Sequence, residues 1–251
     1  MSASRRSEIL VEAIAIGVSA CLLGKQVRFD GGHKRNRFLT DTLADHFELL
    51  PYCPEVAIGM GAPRQPIRLV GDAQSPEAVG DKHPELNVTL PLREYGRKVA
   101  DKIDGLCGFI FKKNSPSCGM ARVKRYNDKG MAERSATGLF AKEIMTAHPL
   151  LPVEEGGRLN DADLRDNFIT RVYVYARWKA LARAGIKKSA LIDFHTSHKF
   201  LVLSHSTQMY CRLGRLLSSL DKTRLDEIAD IYITGLMQTL SKPVTRTRHT
   251  N

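Results

Sequence analysis

The chain has 251 residues, 43% hydrophobic and 26% charged, which suits one large or two ordinary globular domains and argues against disorder as its main state. No stretch reaches the ~20 apolar residues of a membrane span, the amino terminus has no apolar signal core, and the expected location is the cytoplasm. The formal net charge is +11 but unevenly placed: residues 1–157 carry 22 Lys+Arg against 19 Asp+Glu, and residues 158–251 carry 16 against 8.

Residues 1–12 read as a flexible lead-in. From Ala13 short β-type runs alternate with helical segments, the pattern of a parallel sheet with crossovers. Ala13 to Ser19, Phe47 to Pro51 and Leu106 to Phe111 read as buried parallel strands, while Asn36 to Asp45, Leu90 to Ile103 and Gly138 to Ala147 are the predicted helices. Gly59 to Pro66 is loop chemistry. Ile67 to Val70 reads as a short strand, and Val123 to Tyr126 as a strand entering the turn Asn127-Asp128-Lys129-Gly130.

Pro149 to Arg158, with two prolines and a Gly-Gly pair, breaks any helix and places a domain boundary at residues 157/158. Beyond it the chain is helical. Asn160 or Asp161 can cap a helix whose apolar residues Leu164, Phe168, Val172, Tyr175, Trp178 and Leu181 recur at three and four positions, ending near Gly185. A second stretch runs from Ser189 to about Leu220, with a break expected near Ser204 to Ser206, and a third from Arg224 to Leu240. The expected fold is an α/β domain over 13–157 with a mostly parallel sheet, followed by an all-α basic bundle over 158–251. The terminal run Lys242 to Asn251 is basic with no stop signal, which reads as compatible with a longer natural chain.

Five cysteines, thinly spread, argue for reduced thiols rather than a disulfide framework. Cys21, Cys53 and Cys118 each lie just past an apolar run, and ligands of open α/β sheets collect at the carboxyl ends of such strands. Three thiols distant in sequence would then meet in one crevice, with one fewer protein ligand than a closed tetrahedral site. Cys107 sits inside an apolar run and Cys211 in a helix beside Arg212 and Arg215, so neither joins the set. Separations of 32 and 65 residues match no local zinc or ferredoxin signature, so spacing alone leaves a shared metal open.

The segments Ser19-Ala20-Cys21-Leu22-Leu23-Gly24, Arg28-Phe29-Asp30-Gly31, Cys53-Pro54-Glu55, Pro63-Arg64-Gln65-Pro66 and Ser115-Pro116-Ser117-Cys118-Gly119 together resemble the thiouracil desulfidase (TudS) family over roughly residues 14–150. Arg158-Leu159-Asn160-Asp161, Asn167-Phe168 and Phe194-His195-Thr196-Ser197-His198-Lys199 resemble the helical, YbgA-like domain fused to it in RudS-type 4-thiouridine desulfidases. The resemblance implies a [4Fe-4S] cluster on Cys21, Cys53 and Cys118 with one open iron. It also implies conversion of the C=S of 4-thiouridine, free and in tRNA, or of related thiopyrimidines, to C=O.

Attack of water on a pyrimidine carbon calls for a general base. Glu55, two residues past a ligand, is the candidate, chiefly by resemblance; the alternative is a carboxylate that accepts backbone N–H groups. Ser115 is a candidate catalytic and substrate-binding residue, or a shaper of the ligand loop. Asp30 and Arg64 are weaker substrate-binding candidates, with turn chemistry the stronger reading of Asp30-Gly31-Gly32.

The second half's charge is the usual footprint of nucleic-acid binding, set against a merely soluble basic surface. Its candidate RNA contacts are Arg165, Arg171, Arg177, Lys179, Arg183, Lys187, Lys188 and Lys199; they circle more than one helical face, so only a subset can meet one duplex. His195, His198 and His205 invite a zinc reading, but no Cys or carboxylate clearly completes the set, so metal binding ranks below RNA contact or satisfied core histidines. Two further readings stay open: a desulfidase of free thiopyrimidines with a structural bundle, and an iron-sulfur redox sensor that binds nucleic acid without catalysis.

Overall fold

The computed structural model describes residues 13–127, 129–220 and 225–244. The predicted lead-in at 1–12, Asp128 of the predicted turn, Arg224 and the end of the basic tail lie outside them.

Three of the four strands of the first sheet are the apolar runs read from the sequence: β1 (Ala15–Ser19), β2 (Glu48–Tyr52) and β5 (Gly108–Phe111). The fourth is β8 (Val153–Glu155), and the order is β2-β1-β5-β8 with every pairing parallel. β8 lies inside the segment expected only to break helices. Its Pro149-to-Gly157 surroundings do stop a helix, but three residues between the prolines and the glycines are enough for an edge strand.

A second sheet, order β4-β3-β6-β7, is mixed. β3 (Ile67–Val70) runs antiparallel to β4 (Glu77–Gly80) and parallel to β6 (Val123–Tyr126), which is antiparallel to β7 (Ala132–Ala136). β3 and β6 match the sequence reading. β4 and β7 carry no apolar run to announce them: the first four residues of β7, Ala132 to Ser135, are exposed.

The predicted helix over 36–45 is shorter than expected. α1 (Arg37–Asp41) is capped by the Asn36 side chain, which accepts from the Leu39 amide, and a separate 3₁₀ turn covers Leu43–Asp45. After the short α2 (Pro54–Ala57) come α3 (Thr89–Ala100) and α4 (Leu139–Ala147), close to their predicted bounds.

Among the described residues the second half holds four α-helices: α5 (Ala162–Arg183), α6 (Lys188–His205), α7 (Thr207–Ser218) and α8 (Leu225–Leu240). Asp161 caps α5 by accepting from the Leu164 amide at 3.1 Å, and Ser206 makes the predicted break, capping α7 through the Met209 amide at 3.2 Å.

α5 joins the two halves. Phe168 and Val172 are fully buried in a core with Ile16, Val18 and Ile110 of the sheet, whereas Val174 and Trp178 enter the bundle core with Phe194 and Tyr232. Gly108 permits the approach, because a Cβ there would lie 2.9 Å from Val172. None of the described helices is long and apolar enough to cross a membrane.

Candidate active site

The carboxyl ends of β1, β2 and β5 carry the three expected cysteines to one place. Cys21 sits in the 3₁₀ turn Ala20–Leu23 after β1, Cys53 precedes α2 directly after β2, and Cys118 lies in the loop between β5 and β6. All three line a cavity of about 480 Å³ together with Arg28, Tyr52, Glu55, Arg64, Lys112 and Ser115. Cys107 is buried with Ile110 and Leu159 in the hydrophobic core and Cys211 is exposed on α7, so neither reaches the cavity.

Local hydrogen bonding fixes the Cys118 loop. Ser115 Oγ accepts from the amides of Ser117 (3.3 Å) and Cys118 (3.0 Å), a turn that sets the backbone of Cys118. The same loop satisfies the open amides at the start of α4: Leu139 N–H donates to the Pro116 carbonyl at 3.0 Å and Ala141 N–H to the Ser117 carbonyl at 3.1 Å. Gly138 lies so close that a Cβ would be 2.6 Å from the Ser117 carbonyl carbon and 2.8 Å from the Cys118 nitrogen. Only glycine allows that contact.

Glu55 is held at both oxygens. Arg64 Nε and Nη2 donate to Oε2 at 2.9 and 2.6 Å, and the fully buried Ser117 donates its hydroxyl to Oε1. Two further Arg64 N–H groups reach the carbonyls of Gly61 and of Val27, the latter at 3.0 Å. Arg64 therefore braces Glu55 while it also lines the cavity, the place the sequence reading gave it. Asp30 is exposed and does not line the cavity: its carboxylate bonds Arg28, which does, and accepts from the Gly32 amide at 3.0 Å. This is the turn chemistry expected of Asp30-Gly31-Gly32.

The thiols influence one another. Burial pushes all three above the ordinary thiol range; Cys118, the most deeply placed, rises furthest, with Glu55, Cys53 and Cys21 adding to the effect. Lys112 opposes the rise at Cys21. Two buried thiols and the half-buried one of Cys53, without disulfide partners and sharing one cavity, form a soft donor set that a metal centre would deprotonate on binding. Among the described residues no three His, Cys, Asp or Glu side chains close around a point suited to a single ion. Iron-sulfur clusters are held by thiolates, and the three thiols that line this cavity are donors of that chemistry.

His195, His198 and His205 do not converge on a metal site. His198 is buried on α6 with Nδ1 2.7 Å from the Phe194 carbonyl, His195 Nδ1 lies 3.2 Å from the Tyr232 hydroxyl, and His205 Nδ1 lies 2.9 Å from the Lys242 carbonyl. Their partners are those of core and capping histidines.

Three of the eight basic candidates turn toward the first half. Arg171 is buried enough that desolvation lowers its pKa, and it donates to the Val153 carbonyl at 3.4 Å. Lys179 donates to the Leu106 carbonyl at 3.2 Å, and the Arg165 guanidinium lies 5.1 Å from the Phe38 ring. Arg177, Arg183, Lys187 and Lys188 are exposed and Lys199 is partly so. Ser117 went unnoticed in the sequence because nothing in Ser-Pro-Ser-Cys distinguishes the serine that shapes the turn from the one that reaches Glu55.

A family model described as 2-thiouracil desulfurase matches residues 16–156, and one described as a protein of unknown function (DUF1722) matches residues 199–251. The chain is 28% identical over 87 residues to uncharacterized protein YbgA of Escherichia coli (strain K12), covering 34% of this chain and 52% of that protein. It thus spans about half the length of that relative. It is also 28% identical over 113 residues to uncharacterized protein YbbK of Bacillus subtilis (strain 168), covering 41% of this chain and 71% of YbbK. Among solved structures it is similar to one described as the [4Fe-4S]-dependent thiouracil desulfidase TudS, at 29% identity over 59% of this chain and 93% of that chain, with a TM-score of 0.46.

Proposed function

The chain belongs to the 2-thiouracil desulfurase family, and we propose that it replaces the C=S of 4-thiouridine, free and in tRNA, by C=O, with a [4Fe-4S] cluster held by Cys21, Cys53 and Cys118. The carrying observation is that three thiols from three separate strand ends line one cavity with a braced carboxylate, Glu55. Bound there with one iron lacking a protein ligand, the cluster supplies a thiophilic Lewis acid for the thiocarbonyl sulfur.

The chain's own residues do the rest. Glu55 takes a proton from the attacking water and returns it to the departing sulfur, so that one water is consumed and one sulfide leaves. Arg64 and Ser117 fix the carboxylate in place, which holds the base at one position through turnover. Ser115 Oγ accepts two backbone amides in its turn, and its hydroxyl donates to Ser117 Oγ over a long 3.5 Å, a bond it exchanges for one to the pyrimidine edge when substrate enters. Residues 13–157 form the catalytic unit in this reading, and residues 158–251 dock tRNA through Arg177, Arg183, Lys187, Lys188 and Lys199.

The test is a time course of 4-thiouridine loss from bulk tRNA, followed by its near-ultraviolet absorbance, with anaerobically reconstituted protein and its metal-free form. Loss only with the reconstituted protein is expected. Conversion of free 4-thiouridine alone would remove tRNA from the substrates, and inertness toward every thiopyrimidine would overturn the reading in favour of a cluster that acts as a sensor.

A further inference from the structure

Beside the thiol cavity lies a second one of about 430 Å³, and Lys112, Lys113 and Asn114, which follow β5, line both. Its cations are Lys34, Arg35, Arg37, Lys112 and Lys113, and no carboxylate is among its lining residues. Arg35 is paired with Asp41 at 2.5 Å; Lys34, Arg37, Lys112 and Lys113 make no ion pair among the described residues. In the thiol cavity both lining carboxylates already face a guanidinium, Glu55 that of Arg64 and Asp81 that of Arg68 at 3.7 Å. Glu155 acts on Lys112 and Lys113, and Asp41 on Arg37, from outside the cleft, but no carboxylate lines the cleft itself and five cations do, so the rim keeps a net positive charge.

The basic segment is also held in place. Lys34 N–H donates to the Cys21 carbonyl at 2.9 Å, Asn36 N–H to the Leu22 carbonyl at 2.8 Å, and Asn36 Nδ2 to the Gly156 carbonyl at 2.7 Å. Lys34 and Arg37 are thus mounted on the loop that carries Cys21, while their side chains stay exposed.

We propose that this cleft of the α/β unit grips the phosphate backbone of an RNA strand beside the thiolated nucleotide whose base enters the thiol cavity. The inference rests on the proposed desulfidase reading and extends it, since it puts a polyanion site on the catalytic unit apart from the bundle. A cavity of about 480 Å³ is in the size range that holds a nucleoside. A neighbouring cleft of similar volume with four unpaired cations exceeds what a single 5′-phosphate would engage. Successive phosphodiesters of a strand supply that charge, with the target base turned out of its stack into the cavity.

The experiment measures binding of full-length protein to an unmodified tRNA transcript by fluorescence anisotropy across a salt series, for the wild type and for the combined Lys34→Ala, Arg37→Ala, Lys113→Ala variant. These side chains are exposed, so the fold is retained, and Lys34→Arg, Lys113→Arg serves as the charge-preserving control. The expected result is affinity at least tenfold weaker in the alanine variant, a log–log salt slope shallower by about 2, and near wild-type binding in the control. Unchanged affinity and slope, with weakening confined to Lys187→Ala, Lys188→Ala in the bundle, would overturn the proposal. An alanine variant that loses affinity for 4-thiouridine 5′-monophosphate but not for tRNA would make the cleft a single-phosphate site and overturn it too. Because the transcript contains no sulfur, absence of desulfidase activity would sink the catalytic reading and leave this result standing.

Discussion

Ser117 donates its hydroxyl to Glu55 Oε1, so the residue immediately before the third candidate ligand, Cys118, holds the candidate base. The ligand loop and the carboxylate are one hydrogen-bonded unit, and damage to either side should register on the other.

Cys21→Ala, Cys53→Ala and Cys118→Ala should each abolish iron and sulfide retention after anaerobic reconstitution, read by metal analysis and visible absorbance. Cys107→Ala and Cys211→Ala should load as the wild type does, because neither lines the cavity. Full loading of any of the first three variants would remove that residue from the ligand set.

Glu55→Gln should keep the cluster and lower the turnover rate by about 10²–10⁴, the usual weight of general acid–base catalysis. Ser117→Ala should act more mildly, lowering kcat with little change in KM and altering the pH profile. Wild-type kinetics for Glu55→Gln would assign the base elsewhere.

Arg64→Ala leaves Glu55 without its guanidinium in a pair whose side chains are only 6% and 15% exposed. Removing one partner of such a buried pair costs roughly 3 kcal/mol, so denaturant unfolding should shift clearly. Arg64→Lys should restore part of the stability but not the two-pronged hold on Oε2.

Gly138→Ala forces a methyl group against the Ser117–Cys118 backbone. We expect a stability loss of about 1–3 kcal/mol, typical of overpacking, together with incomplete iron loading. A variant that unfolds like the wild type and loads fully would show that the loop shifts without cost.

Stability of the helical half should fall as pH drops below 6.5. Desolvation is the main cause that lowers the pKa of His198, and its Nε2 is buried without a hydrogen-bond partner. The unfolded chain then binds the proton more readily than the folded one. The stability is therefore full above the ordinary histidine value of 6.5 and is lost as pH falls through it toward the lower folded value. His198→Leu should reduce that dependence in thermal melts at pH 5 to 7, with His195, which is shifted the same way by burial, supplying what remains.

Much of this protein was written locally in its sequence. The apolar runs ending before Cys21, Cys53 and Cys118, the cap at Asp161 and the break at Ser206 are signals within a few residues, and each appears where short-range physics puts it. The loop motifs with Glu55 and Ser115 were equally legible, since the resemblance they carry needs no contact map.

Other features arise only when distant segments meet. β8 and β7 are too short or too polar to signal themselves, and they exist because neighbouring strands offer backbone partners. The inward turn of Arg171 and Lys179, the brace of Arg64 and the reach of Ser117 to a residue 62 positions away depend on which carbonyl or carboxylate the fold brings near. The sequence determined which residues could do the chemistry. Tertiary structure decided which of them share a cavity, because a side chain's role follows from the partners left to it once the backbone is folded.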